Sequence, residues 1–290
     1  MNQKNNLFKN LRRPLILDGA NGSLIHKLGG KIDPVLWSSI SCLTDPEIVL
    51  NVHKGYVEAG AEIITTNTFR TNPVAIKQSG ITVNEKDFVQ KAVNLTKLAK
   101  GNNKICIAGS NSPAEDCYQK VRTVTKQVLE YNHKKHIELL WENGVDFILN
   151  ETQSHIDEIE IICKFCYSQK IPYIISLYFD NDLNLLSGES IYKVIELINE
   201  FTPLFISFNC VTETVFNKLS ITVRENVLHG FYLNIGIEND CGFLDKKYSS
   251  DEYLDIVKKY KNKNTLMIGA CCGSDFSHIR RIRKYFDELY

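Results

Sequence analysis

The chain has 290 residues, 43% of them hydrophobic and 10% aromatic, with 34 Lys and Arg balanced by 34 Asp and Glu. That apolar content can bury a full core and excludes general disorder. A formal net charge of zero removes the electrostatic case for nucleic acid or an anionic membrane surface as the main partner.

The opening residues, MNQKNNLFKNLRRP, are polar and basic and contain no apolar stretch of the secretory kind. No run approaches the roughly 18 apolar residues of a spanning helix. A soluble, cytoplasmic chain is therefore expected, with residues 1–13 as a flexible N-terminal segment. The nine cysteines cannot all pair internally. Without an export signal they are expected as thiols, which points to metal binding or chemistry.

Short β-rich runs recur at 15–17, 62–66, 104–109, 145–149, 172–178, 203–208, 228–233 and 265–269. Most are near-continuous apolar runs, as expected for strands covered on both faces. Helical patterns lie between them. One begins at Pro46 and carries Ile48, Val49, Val52, Tyr56 and Val57 on one face before Gly60. Another is expected from Val121 to Asn143, with Val124, Val128, Ile137, Leu140 and Trp141 as its apolar members, before Gly144. Eight βα units without a Pro/Ser/Gly linker predict a single-domain (β/α)8 barrel over residues 1–290. The alternative, an open doubly wound sheet, usually carries a Gly-rich phosphate loop after its first strand, and Gly19–Ala20–Asn21–Gly22 is too short for GxGxxG.

Barrel active sites are built where strands end. Those positions hold Asp18, Thr66–Asn67, Ser110, Asn150–Glu151, Asn209–Cys210, Asn234 and Cys271–Cys272. Adjacent residues on a strand point to opposite faces, so Cys271 and Cys272 can share a ligand only where the strand has ended. Gly269, Ala270 and Gly273 permit a sharp turn there. In a closed barrel strand eight lies near strand six, and Cys210 can reach the same point. Three thiolates with no fourth protein ligand describe a catalytic zinc site; buried, inert thiols are the alternative, and spacing alone does not separate the two. Cys163 and Cys166 share a helix face and are expected to pack, and Cys42, Cys106, Cys117 and Cys241 are given no role.

Asp18 and Glu151 end apolar strands, where a charge is costly unless it meets a cation. Either each pairs with a local Lys or caps a helix, or together they form a negative recess for a substrate ammonium. Asn209 either contacts a substrate carboxylate, orients the neighbouring thiolate, or bonds its own loop. Trp37, in the first βα loop, either faces a methylated cation or anchors packing. His53 and His136 are expected in surface or capping roles on helices, since no HExxH or HxH spacing occurs. There is no GxSxG elbow and no P-loop, which argues against a serine hydrolase or nucleotide-dependent kinase.

Beyond these patterns, the chain resembles the homocysteine S-methyltransferase family over almost its whole length. The matching stretches are LILDGANGS at 15–23, LW at 36–37, PEIVLNVHKGYVEAGAEIITTNTF at 46–69, GVDFILNET at 144–152, FNC at 208–210 and IGACCGSDFSHIRRI at 268–282. The resemblance implies a zinc-dependent barrel with Cys210, Cys271 and Cys272 as metal ligands. It implies that Asp18 and Glu151 hold the amino group of homocysteine, that backbone near Gly19 receives its carboxylate, and that Asn209 precedes the first zinc cysteine. Ser207, Leu233 and Ala270 depart from the family pattern, standing where Gly, Pro and Gly are common.

Such a site would deprotonate homocysteine as the fourth ligand of zinc and methylate it by in-line displacement, giving methionine without a methyl-cysteine intermediate. Folate- and cobalamin-using relatives carry further domains, and betaine-using ones a longer C-terminal part. A single barrel is therefore expected to use a sulfonium donor, S-methylmethionine or S-adenosylmethionine. Methylation of another small thiol or selenol, or zinc and amino-acid binding without transfer, are the alternatives. The sequence specifies no oligomeric state.

Overall fold

The computed structural model describes residues 7–219, 225–238 and 244–290. Its strands are β1 (Leu15–Ile16), β2 (Ile63–Thr65), β3 (Cys106–Asn111), β4 (Phe147–Gln153), β5 (Tyr173–Leu177), β6 (Ile206–Asn209), β7 (His229–Leu233), β8 (Gly236–Glu238), β9 (Leu244–Lys246) and β10 (Thr265–Ala270). Eight of them form a parallel sheet in the order β1, β10, β7, β6, β5, β4, β3, β2. A Leu17–Ile63 bridge joins the two ends of that order. There the Asp18 N–H donates to the Ile63 carbonyl at 2.9 Å and the Glu62 N–H to the Ile16 carbonyl at 2.7 Å. The sheet thus curls into the expected (β/α)8 barrel, and all eight expected strands are present with their ends moved by a few residues. The antiparallel β8–β9 hairpin was not expected; it interrupts the connection between β7 and β10.

Alternation of side chains produces two cores. Leu17, Ile63, Ala108, Phe147, Leu149, Ile174, Phe205 and Met267 fill the barrel interior. Their strand neighbours Ile16, Ile64, Ile107, Ile148, Ile175, Ile206 and Ile268 pack outward against the helices. Burial on both faces is why these strands read as unbroken apolar runs. At the N-terminal end of the barrel, Phe8 meets Phe147 and Phe205 edge-on, with ring centroids 5.7 and 4.7 Å apart. Arg13 clamps Glu62 with two bonds of 2.7 and 3.0 Å. Residues 1–6 of the segment expected to be flexible lie outside the described residues, as does Cys241.

The helix Pro46–Glu58 forms as expected, with Pro46 in its first turn. The helix expected from Val121 to Asn143 instead runs Lys126–Glu142, because the Thr125 side chain accepts the Val128 N–H and starts it there. Its buried face is also different. Val128 is exposed, whereas Asn132, His133 and His136 are fully buried. His136 Nδ1 bonds Asn111 Oδ1 at 2.8 Å and its Nε2 bonds Thr71 Oγ1 at 2.9 Å. His53 is equally buried, against Thr96 at 3.3 Å. The expectation of surface or capping roles for His53 and His136 is therefore overturned: partners across the interface satisfy both nitrogens of His136, whereas His53 is met at Nε2 alone, its buried Nδ1 having no hydrogen-bond partner among the described residues. Burial pushes His53 down to about 4 and His136 to about 3, so both are neutral at physiological pH. Among the described residues, no helix is long and apolar enough to cross a membrane.

Gly269 is where β10 presses closest on β1: a Cβ there would lie 2.8 Å from Leu17 Cβ and 2.9 Å from the Asp18 carbonyl oxygen. Ala270, by contrast, is tolerated in the helix-facing core. Gly269→Ala is expected to lower stability by about 1–3 kcal/mol in urea unfolding, because backbone must move to admit the methyl. An unchanged midpoint would show that β1 is not held at this contact.

Candidate active site

A cavity of about 520 Å³ opens at the C-terminal ends of the barrel strands. It is lined by Asp18 and Gly19 after β1, Trp37 from the loop that follows, Glu151 on β4, Asn209 and Cys210 at the end of β6, and Cys271 and Cys272 after β10. Thr66, Asn67, Ser110 and Asn234 line it as well, so of the strand-end residues singled out from the sequence Asn150 alone stays outside, bonded to Asn111 and to the Ile174 carbonyl.

β10 ends at Ala270, so both paired cysteines lie beyond the strand, as their adjacency required. β7 separates β10 from β6. Cys210 crosses that gap because it leaves β6 with a φ of 55°, a left-handed conformation unusual for a side chain with a Cβ. Cys210 Sγ lies 2.6 Å from Cys271 Sγ and 3.8 Å from Cys272 Sγ, and the last pair is 3.9 Å apart. Among the described residues these three form the group of His, Cys, Asp or Glu placed to hold a metal ion. Two of the three spacings match the edge of roughly 3.8 Å set by a tetrahedral ion with metal–sulfur bonds near 2.3 Å. Hydrogen bonds from Cys210 and Cys271 hold the Cys272 thiol well below its ordinary value. Cys271 is pushed up by donating to its two neighbours. Cys210, although Cys271 bonds to it, is pushed up by donating to Cys272 and by burial. Three thiolates this close require a cation among them.

Asp18 is buried and Glu151 partly so, and among the described residues neither has a Lys or Arg in ion-pair contact, so neither forms the local ion pair considered from the sequence. Asp18 accepts the Thr65 N–H at 2.8 Å, the Thr65 hydroxyl at 3.0 Å and Asn21 Nδ2 at 3.3 Å. Burial nevertheless outweighs these bonds and raises Asp18 to about 8. Glu151 accepts Ser110 Oγ at 2.5 Å and the Tyr232 hydroxyl at 3.1 Å. Burial raises it to about 7, with the neighbouring Cys272 adding to the effect.

Asn209 neither bonds its own loop nor points a free amide at the cavity. Its Oδ1 accepts the Thr152 N–H at 2.9 Å and its Nδ2 donates to Thr152 Oγ1 at 2.8 Å. Thr152 itself has a φ of 55°. The pair thus fixes an unfavourable turn directly beside Glu151 and, on the other strand, directly before Cys210. Trp37 stacks on Phe69 at 5.4 Å and 18°, and the Arg70 guanidinium lies 5.6 Å from its ring. At Gly19, a Cβ would lie 2.7 Å from both Ser274 Oγ and the Tyr56 hydroxyl. Asn234 accepts the Gly236 N–H at 2.9 Å, folding the chain against Cys272.

Sequence reasoning missed several contributors. Tyr232 is signalled by alternation on β7, two positions beyond the inward Gly230, but its bond to Glu151 spans 81 residues. Tyr118 lies in a long loop with no periodic signal, yet it lines the cavity, with its ring edge-on to Tyr178 at 5.1 Å. Cys42, given no role, receives Asn67 Nδ2 at 3.4 Å beside the cavity. Cys163 and Cys166 pack in the helix layer as expected.

The description "Homocysteine S-methyltransferase" matches residues 15–286. An Arabidopsis thaliana protein named homocysteine S-methyltransferase 3 is 22% identical, covering 94% of this chain and 90% of its own. A Drosophila melanogaster betaine-homocysteine S-methyltransferase is 25% identical over 93% of both chains. The metallated form of the homocysteine methyltransferase MmuM from Escherichia coli superposes with a TM-score of 0.78 at 20% identity, covering 94% of this chain and 96% of its own. With that match running through nearly all of the barrel, the chain belongs to the homocysteine S-methyltransferase family.

Proposed function

We propose that this protein transfers a methyl group from a sulfonium donor, S-methylmethionine or S-adenosylmethionine, to homocysteine, giving methionine. The observation that carries this reading is the content of this cavity: three converging sulfurs, two carboxyls and aromatic rings, with no Lys or Arg among the described residues that line it. Its sulfurs and carboxyls suit cations.

Cys210, Cys271 and Cys272 are the proposed zinc ligands, since soft thiolates at tetrahedral spacing suit that ion and leave its fourth position open. When bound, zinc supplies the Lewis acidity that keeps the acceptor's thiol in its nucleophilic form. Asp18 and Glu151 seat the acceptor's ammonium, and the backbone beside Gly19 receives its carboxylate. That seat aims the acceptor's side chain at the sulfur cluster. Trp37, Phe69 and Tyr118 offer ring faces to a methylated cation. The acceptor's sulfur then forms the new S–CH3 bond as the donor's C–S bond breaks, and the electron pair leaves on a neutral thioether. The chain's part is to orient the two and exclude water.

Chain length does not separate donors, because the Drosophila betaine-named relative is covered over 93% of its length. The direct test is methionine formation from homocysteine with each sulfonium, with betaine as the comparison. Turnover with a sulfonium is expected; turnover with betaine alone would replace the donor, and none with homocysteine would end the proposal. Cys272→Ser is expected to lose bound zinc and at least about 90% of activity, read by metal analysis and turnover. Full zinc occupancy with wild-type turnover would refute the ligand assignment.

Asp18 also makes the seat pH-dependent. Its carboxyl, raised to about 8, is neutral below that pH and must ionise to receive an ammonium. Methionine, which has the ammonium but no thiol proton, should therefore bind more weakly by up to about tenfold per pH unit as pH falls below about 8. Calorimetry from pH 6 to 9 checks this, with Asp18→Asn expected to flatten the profile. A flat wild-type profile would contradict the role of Asp18.

A further inference from the structure

Two loops supply aromatic rings to the cavity. The loop after β1 carries Trp37, and the loop after β3 carries Tyr118. Trp37 has a φ of 49° and a ψ of −133°, an unfavourable conformation for a residue with a Cβ. Asp33 folds its loop tightly. The Trp37 N–H donates to the Asp33 carbonyl at 2.9 Å, and Asp33 Oδ1 accepts the Val35 and Leu36 N–H groups at 2.8 Å each. Tyr118 is 43% exposed, and its N–H donates to Asp116 Oδ1 at 2.8 Å. Each loop is thus ordered within itself, but neither set of bonds fixes one ring relative to the other.

Arg70, just past β2, joins the two loops. Its backbone N–H donates to Ser39 Oγ at 3.1 Å and its Nε to the Val35 carbonyl at 2.9 Å, so it grips the first loop on both sides of Trp37. Its Nη1 reaches the second loop and donates to the Glu115 carbonyl at 2.6 Å, with the Pro113 carbonyl at 3.5 Å. The guanidinium carbon stands 5.6 Å from the centre of the Trp37 ring. Phe69, the residue before it, stacks on that ring at 5.4 Å and 18°. Arg70 is 3% exposed, and among the described residues no carboxylate is in ion-pair contact with it. A guanidinium buried on carbonyls alone is costly, and an apolar side chain would fill the same space without that cost. What the planar fork adds is donors in two directions at once, one for each loop.

We propose that Arg70 is a positioning residue for the methyl donor: it fixes the spacing of Trp37 and Tyr118 and so sets the affinity for the donor's cation. This deepens the transfer reading above and rests on it. Cation–π attraction is useful only within about 6 Å of a ring centre, so walls free to drift would hold the donor poorly. The acceptor's seat is built separately. Asp18 and Glu151 are held by Thr65, Asn21, Ser110 and Tyr232 rather than by Arg70. Loosening the aromatic walls therefore weakens donor binding and spares the acceptor and the proposed zinc ligands.

The test compares wild type, Arg70→Lys and Arg70→Met in steady-state kinetics with homocysteine and S-methylmethionine, or S-adenosylmethionine where only that sulfonium supports turnover. Arg70→Lys keeps the buried charge but not the fork. It is expected to raise KM for the sulfonium by about tenfold, with KM for homocysteine and bound zinc within about twofold of wild type. Arg70→Met should raise it further. An unchanged sulfonium KM would overturn the proposal. So would equal rises in both KM values or loss of zinc, the marks of a general loosening. A second measurement needs no change at Arg70, in case its variants do not fold. Trp37 and Trp141 are the two tryptophans of the chain, so Trp141→Phe leaves Trp37 as the single reporter. Its emission should shift on adding the sulfonium and hold steady on adding homocysteine alone. A shift with homocysteine alone, or none with the sulfonium, would take Trp37, and with it Arg70, off the donor side. Absence of methionine formation by wild type with either sulfonium would end the transfer reading itself. Wild-type turnover with an indifferent Arg70→Lys would sink this inference alone.

Discussion

Closure of a parallel sheet is the constraint on which the rest depends. All eight strands point the same way, so joining β1 to β2 at Leu17 and Ile63 turns their C-terminal ends into a ring. Residues as far apart as Cys210 and Cys271 then face a common space. The ring alone would still hold them apart, with β7 between. The left-handed turn at Cys210 and the turn after Ala270 complete the approach. Gly236 lets the β7 exit lie directly on Cys272, where a Cβ would stand 3.2 Å from the Cys272 carbonyl carbon and oxygen.

Burial sets the chemistry of that space. Asp18 and Glu151 are raised because water is excluded and no basic side chain offsets them. The cysteine cluster is limited in the same way, since one thiol gains negative charge only while its neighbours keep their protons. A positively charged metal, an ammonium and a methylated cation each relieve one part of this imbalance. The three groups named in the proposed function would each answer this common electrostatic deficit.

How much of this could be read from the sequence depended on whether the determinant was local. The βα rhythm and the turn after strand eight are local, and they gave the barrel and the paired cysteines. Asp18 and Glu151 were legible because a carboxylate ending an apolar run is costly wherever it sits. The helix Lys126–Glu142 was misread because His133, His136 and Asn132 count as polar in any periodic pattern. They are buried only because Glu158, Asn111, Thr71 and Val74 meet them from distant segments. Asn209 was recognised but not its partner, since the Thr152 conformation that it stabilises leaves no trace in composition. Tyr118 was invisible for the same reason: its ring is met by Tyr178, 60 residues away in another loop.

The measurement that tests the central claim most directly is zinc content per chain in reduced protein, followed by X-ray absorption at the zinc edge with and without homocysteine. The account predicts one tightly bound zinc per chain with three sulfur neighbours, and a fourth sulfur when homocysteine is added. No zinc under reducing conditions, or a sulfur count that homocysteine leaves unchanged, would contradict it.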